Sequence, residues 1–158
     1  MEPKIIEKGA FKVAGLQTYG SAMSSDFAAM WGLLMDGDLT VPDRIEEHQA
    51  FGICSYVGES SEEMKLFYMA SVEVSGFDNL PVNTVGKVIP ANTYAVFTYQ
   101  GVLDAGLMKA FHAAYQWLEA SEYERGGPYD LEFYGPQFTG PQDSNSVLEI
   151  WVPIQKMA

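Results

Sequence analysis

Asp130-Leu-Glu-Phe-Tyr-Gly-Pro136 and, after a loop, Ser146-Val-Leu-Glu-Ile-Trp-Val-Pro-Ile154 alternate residue type with period two. This is the pattern of two strands whose successive side chains point to opposite faces of a sheet. Each run places one carboxylate beside an aromatic: Glu132 with Tyr134, and Glu149 with Trp151. Those four are expected to share one face, which reads as a binding surface. Leu131 and Phe133, then Leu148, Ile150, Val152 and Ile154, are expected on the other, facing a core. A one-residue slip in register would exchange the two sets.

Working outward from these strands, the chain resolves into alternating strand and helix signals. Ile5 to Tyr19 reads as one strand bent at Gly9, and Ser24 or Ser25 as the cap of a helix whose stripe is Phe27, Met30, Trp31 and Leu34, ending at Asp36-Gly-Asp38. Leu39 to Gln49 reads as a polar connection with a short helical turn at 43–48. Phe51 to Val57 and Lys65 to Val74 form a hairpin across a charged loop at 58–64. Val85 to Ile89 and Tyr94 to Tyr99 are further strands. Leu103, Leu107, Phe111, Ala114 and Leu118 step at helical spacing, with Trp117 at the edge of their stripe. Phe27, Phe111 and Trp117 are read as core. Residues 122–129 read as a loop.

Laid out in this way, strand, helix, strand, strand occurs twice, at an offset of about 80 residues. Phe51 and Ile53 fall on Leu131 and Phe133, and Tyr68, Ala70, Val72 and Val74 fall on Leu148, Ile150, Val152 and Ile154. The expected architecture is α+β: two β-α-β-β halves, about 4–76 and 84–156, in a single domain. They form a curved antiparallel sheet with both helices on one face and a ligand groove on the other. The first half offers that groove Gly52, Cys54, Phe67, Met69 and Ser71.

Composition bounds the function. The 158 residues suffice for a core, with 47% hydrophobic, 19% charged and an aromatic share of 13%. The 21 acidic and 9 basic residues give a net charge of −12, which repels nucleic-acid phosphate and anionic lipid. No direct nucleic-acid binding is expected, and no run approaches the roughly 20 apolar residues of a membrane span. With a lone cysteine, Cys54, and an N-terminus Met1-Glu-Pro-Lys4 without an apolar signal region, the expected compartment is the cytoplasm. His48 and His112 have no partner at metal-ligand spacing, and no glycine-rich phosphate loop follows a strand. Neither metal nor cofactor is expected.

Pro90-Ala-Asn-Thr-Tyr-Ala-Val-Phe-Thr-Tyr-Gln-Gly101, the helix Phe111-His-Ala-Ala-Tyr-Gln-Trp-Leu118 and the two strands quoted first resemble the GyrI-like small-molecule-binding family, the effector-binding domain found alone and fused to multidrug-responsive regulators. The resemblance spans essentially the whole chain. It implies the duplicated fold, a groove for apolar and often cationic compounds, and support for the ligand from an acidic residue on the strand of Glu132. The chain carries no basic helix-turn-helix stretch.

A planar cation needs aromatic faces and a carboxylate where water is partly excluded. Trp151, Tyr134, Tyr99, Phe67 and Trp31, with Met69, are the candidates for the first, and Glu132 and Glu149 for the second. The leading reading is a drug sensor or sequestering protein. A second is a hydrolase of cyclopropane-bearing toxins, with Glu132 or Glu149 as acid or base and Tyr134 as donor to the developing oxyanion. A third is an inhibitor whose acidic surface meets a protein partner, a regulator or a topoisomerase. Either a monomer or a dimer fits.

Overall fold

A computed structural model describes residues 2–21, 26–36, 39–56 and 65–158. Among these residues nine strands form one antiparallel sheet: β1 (Lys4–Lys8), β2 (Phe11–Ser21), β3 (Ala50–Tyr56), β4 (Lys65–Val74), β5 (Val85–Ile89), β6 (Asn92–Gln100), β7 (Tyr123–Arg125), β8 (Tyr129–Tyr134) and β9 (Val147–Lys156). Two helices accompany it, α1 (Phe27–Met35) and α2 (Ala105–Ala120). The fold is α+β with an open curved sheet, as the alternation in the sequence implies.

The strand order is β1-β6-β9-β8-β3-β4-β2-β5, with β7 added on β9. Two arrays of similar order thus meet at β8 and β3. Each array ends on a short strand from the other part of the chain: β1 lies against β6, and β5 against β2. This corrects the single bent strand expected at Ile5 to Tyr19. Gly9 and Ala10 separate two strands that travel to opposite ends of the sheet, β1 to one edge and β2 next to the other.

Other boundaries follow local chemistry. Asp26 caps α1, its carboxylate accepting from Ala29 N, whereas Ser24, Ser25 and the loop 58–64 lie outside the described residues. Asp104 caps α2 through Gly106 N, so that helix starts two residues after the expected Leu103. No helical turn forms at 43–48. Asp43 has φ +62°, and Ile45 N and the Asp43 carbonyl bond to Glu73 and Ser75 at 3.0 and 2.9 Å, which pins the connection along β4. Residues 123–125, read as loop, form β7 on the far end of β9.

Both helices pack on one face. Leu34 of α1 and Ala110, Phe111 and Ala114 of α2 belong to the same buried cluster as Ala70, Val72, Val74, Leu148, Ile150, Val152 and Ile154. The opposite face closes on itself because the sheet curls. Phe11, Phe51, Phe133, Tyr94 and Trp151 form a chain of ring contacts with centroids 5.1 to 5.8 Å apart, joined by Val13, Ile53, Met69 and Leu131. Curling lets a second core form without a covering helix.

The register corrects the phase of β8. Leu131 pairs with Trp151, Glu132 with Ile150 and Phe133 with Glu149, and directly opposed residues share a face. Glu132 and Tyr134 therefore lie on the helix side, and Leu131 and Phe133 on the other, the reverse of expectation for that strand. In β9 the expected set, Leu148 to Ile154, does face the helices. Glu149 and Trp151 then point away from Glu132.

Candidate functional site

A cavity of about 590 Å³ opens between the sheet and the two helices. It lies on the helix face, not on the free face where a groove was expected. The free face is filled by its own aromatics, whereas α1 and α2 leave a gap between them. Phe27 and Trp31 of α1 form one wall, Leu103 just before α2 and Leu107 in its first turn another, and Phe138, Pro141 and Gln142 of the β8–β9 loop a third. The floor is Ala50, Tyr68, Glu132 and Tyr134.

The floor is built by the β3–β8 register. Ala50 opposes Tyr134, Gly52 opposes Glu132 and Cys54 opposes Asp130, so β3 supplies small residues where β8 supplies large polar ones. Gly52 leaves room for the Glu132 carboxylate and the Tyr68 hydroxyl in their observed places. A Cβ there would collide with the Glu132 carboxylate and come 2.7 Å from the Tyr68 hydroxyl.

Glu132 is 6% exposed. The Tyr68 and Tyr134 hydroxyls donate to its Oε1 at 2.6 and 2.8 Å. Trp31 Nε1 in turn donates to the Tyr68 oxygen at 2.9 Å, which fixes the direction of the Tyr68 proton. Phe27 stacks on the Tyr68 ring at 4.4 Å with planes 10° apart. Trp31 tilts against Tyr134 at 4.9 Å, and Phe138 meets Tyr134 edge-on at 4.7 Å. Among the described residues nothing donates to Oε2, and no Lys, Arg or His lines the cavity.

Burial pushes the Glu132 carboxyl above its ordinary range, and nearby Asp130 adds to this, while the two tyrosine hydrogen bonds pull the other way. Burial also raises Tyr68 and Tyr134, and the adjacent Glu132 raises them further. Both stay protonated as donors. Cys54 is likewise held up by burial, with Glu132 and Asp130 contributing.

Asp130, two residues earlier on the same face, provides an internal comparison. It is fully buried, yet Arg125 Nη1 donates to Oδ1 at 2.7 Å and the Tyr115 hydroxyl donates to Oδ2. Both oxygens are engaged and the charge is paired. Among the described residues Glu132 has no cation, and its two donors share Oε1.

Of the residues singled out in the sequence, the structure brings Glu132, Tyr134 and Trp31 together. Trp151 and Met69 are buried in the opposite core. Glu149 is on that face too, accepting from Trp151 Nε1 at 3.1 Å, and Phe67 packs there on Tyr19 at 5.0 Å. Tyr99 borders the helix-side core, but its hydroxyl donates to the Val102 carbonyl at 2.6 Å and it does not line the cavity. The sequence reading missed Tyr68 and assigned Phe27 to the core. A hydroxyl in the otherwise aliphatic row Tyr68, Ala70, Val72, Val74 was the available signal, since a buried tyrosine seeks a partner for its O–H.

Among the described residues no group of His, Cys, Asp and Glu could hold a metal, and no helix is long and apolar enough to cross a membrane.

Residues 4–154 match the family described as integron-associated effector binding protein. The transcriptional regulator BrlR of Pseudomonas aeruginosa is 29% identical over 155 residues. That match covers 98% of this chain and 56% of BrlR, so the chain spans little more than half of that relative. The C-terminal domain of EcmrR has a similar fold, with TM-score 0.74, 19% identity and coverage of 99% and 98% of the two chains. SAV2435, solved bound to tetraphenylphosphonium, superposes with TM-score 0.73 at 15% identity, covering 98% and 94%.

Proposed function

We propose, from the premise that this chain belongs to the family of integron-associated effector-binding proteins, that its cavity binds lipophilic cations through Glu132. The observation that carries this reading is a carboxylate 6% exposed, with one oxygen undonated, in an aromatic-lined cavity without a basic side chain. Leaving such a charge unpaired costs several kcal/mol. Asp130 escapes that cost through Arg125, and Glu132 escapes it when a guest cation arrives. Trp31, Tyr134, Phe27 and Phe138 add ring faces, each contact with a cation contributing about 1 to 2 kcal/mol once desolvated. SAV2435, of like fold, was solved with a cation of this class. Regulatory relatives such as BrlR support a sensing or sequestering role.

The hydrolytic reading uses the same glutamate and needs a tyrosine proton aimed at substrate. Here both hydroxyl protons go to Glu132, which favours a cradle for a cation over an oxyanion donor.

Titration with tetraphenylphosphonium, followed by tryptophan fluorescence, tests the reading. Quenching with a midpoint at or below tens of micromolar is expected, and it disappears in Trp31→Phe because Trp117 and Trp151 lie outside the cavity. Absence of binding at that concentration refutes the proposal.

A further inference from the structure

We infer that Glu132 carries a proton on Oε2 in the free protein and exchanges it for the cationic head of a ligand. In its protonated state the same cavity then takes a second class of guest, neutral lipophilic molecules bearing a hydrogen-bond acceptor. This deepens the reading above and rests on it.

The asymmetry of the carboxyl group is the starting point. Tyr68 and Tyr134 both donate to Oε1, and the Tyr68 oxygen is itself occupied by Trp31 Nε1. A protonated carboxyl places its hydrogen on the oxygen that receives no donor, because the other already accepts two. Oε2 is that oxygen, and Glu132 lines the cavity. The free protein thereby avoids a buried unpaired charge without needing an internal cation.

Burial and Asp130 favour the protonated form of Glu132, against the pull of the two tyrosine hydrogen bonds. Tyr68 on β4 and Tyr134 on β8 are neutral, with raised hydroxyl pKa values. Cys54 on β3 is a neutral thiol, held so by burial. Asp130 on β8 raises Glu132, though Arg125 is bound to it. Asp26 and Asp36, at the two ends of α1, line the same cavity, while α2 and the β8–β9 loop contribute only uncharged residues. Among the described lining residues the only charges beside Glu132 are therefore negative, which opposes a second anion and attracts a cation.

The exchange balances simply. When a cation enters, the O–H bond at Oε2 breaks, its electron pair stays on the carboxylate, and the proton passes to bulk buffer. Nothing is oxidised or reduced. A neutral guest with a carbonyl or phosphoryl oxygen instead accepts the Oε2 proton, and none is released. The two classes then respond to pH in opposite directions.

Calorimetry of the intact protein in pairs of buffers with different ionisation enthalpies reads the exchange. Tetraphenylphosphonium is used because its charge is independent of pH. The expected release approaches one proton per ligand below the Glu132 pKa and vanishes above it, with affinity rising by up to about tenfold per pH unit across the lower range. Triphenylphosphine oxide, neutral and a strong acceptor, should release none and bind more weakly as pH rises. Glu132→Gln should abolish release and keep the phosphine oxide, since its amide retains a donor. That distinguishes Glu132 from the rim carboxylates. Proton release from tetraphenylphosphonium that stays at zero between about pH 5 and 8, or a phosphine oxide affinity rising with pH, overturns the exchange while leaving cation binding intact. Failure of both probes to bind at any pH overturns the exchange and the underlying reading together. The wild-type measurement in paired buffers stands even where the variant does not fold.

Discussion

Gly52→Ala is the smallest change that should take the site apart. A Cβ at residue 52 would overlap the Glu132 carboxylate and sit 2.7 Å from the Tyr68 hydroxyl, so the two partners of the 2.6 Å hydrogen bond cannot both keep their places. Leaving a buried polar group without its hydrogen-bond partner costs about 1 to 3 kcal/mol, and forcing a methyl into packed surroundings about 1 to 3 kcal/mol more. Against this, the added methyl contributes about 0.8 kcal/mol of burial and alanine in a strand about 0.5 to 1 kcal/mol of chain entropy relative to glycine. The balance is a destabilisation of about 1 to 4 kcal/mol. Displacing Glu132 should also weaken tetraphenylphosphonium by at least about tenfold, which is roughly 1.4 kcal/mol. Urea unfolding and fluorescence titration measure the two quantities, with Gly9→Ala as control because nothing lies within 4 Å of a Cβ there. If Gly52→Ala matches wild type in both stability and affinity, the glycine is not what makes room for the carboxylate, and the construction of the floor given above is wrong.

Arg125→Met should lower stability in urea by about 2 to 3 kcal/mol, below the full range for breaking a buried pair because the arginine side chain is 38% exposed; adding Asp130→Asn should recover much of the loss. Trp151→Ala should cost about 3 to 5 kcal/mol in stability yet leave tetraphenylphosphonium affinity unchanged, since Trp151 packs in the core away from the cavity. The pH dependence of stability has a definite sign. Burial raises Glu132 above its ordinary 4.5, so the folded state binds the proton more tightly than the unfolded chain, and the contribution of this group to stability falls as pH rises from that value through the folded pKa. Thermal melts of wild type and Glu132→Gln across pH should therefore converge at low pH and separate in favour of the glutamine variant above it.

The sequence was most legible where one strand or helix could be read by itself. Lys65–Val74 and Val85–Ile89 appear with the expected bounds, and the apolar stripe of α2 packs Phe111 and Ala114 inward. Alternation along β9 correctly separated Leu148, Ile150, Val152 and Ile154 from Glu149 and Trp151. What alternation cannot supply is the phase of one strand against the next. β8 is largely buried on both faces, with Leu131 and Phe133 on one and Asp130, Glu132 and Tyr134 on the other. The loop between β8 and β9 sets the phase, and its turns, held by Ser146 Oγ and Asp143, have no period to read. The same limit hid the break at Gly9, since only pairing at opposite ends of the sheet reveals two strands in 4–21.

Where β3 and β8 meet, size and charge are distributed in a way that explains why one of two buried carboxyl groups is left without a cation. On the helix side β3 presents Ala50, Gly52 and Cys54, and β8 presents Tyr134, Glu132 and Asp130 in register. Polar bulk on one strand fits only because its neighbour has given up side-chain volume. At the Asp130 end the space is filled from within the chain: Tyr115 reaches down from α2 and Arg125 comes from β7, the three-residue strand that pairs with the end of β9. At the Glu132 end α1 contributes Phe27 and Trp31, which supply ring faces and one N–H but no charge. Both ends thus hold a buried carboxyl group beside tyrosine hydroxyls, and they differ in whether an arginine is within reach. A cation at Glu132 would complete there what Arg125 completes at Asp130, and until it arrives a proton is the smallest group that can take its place.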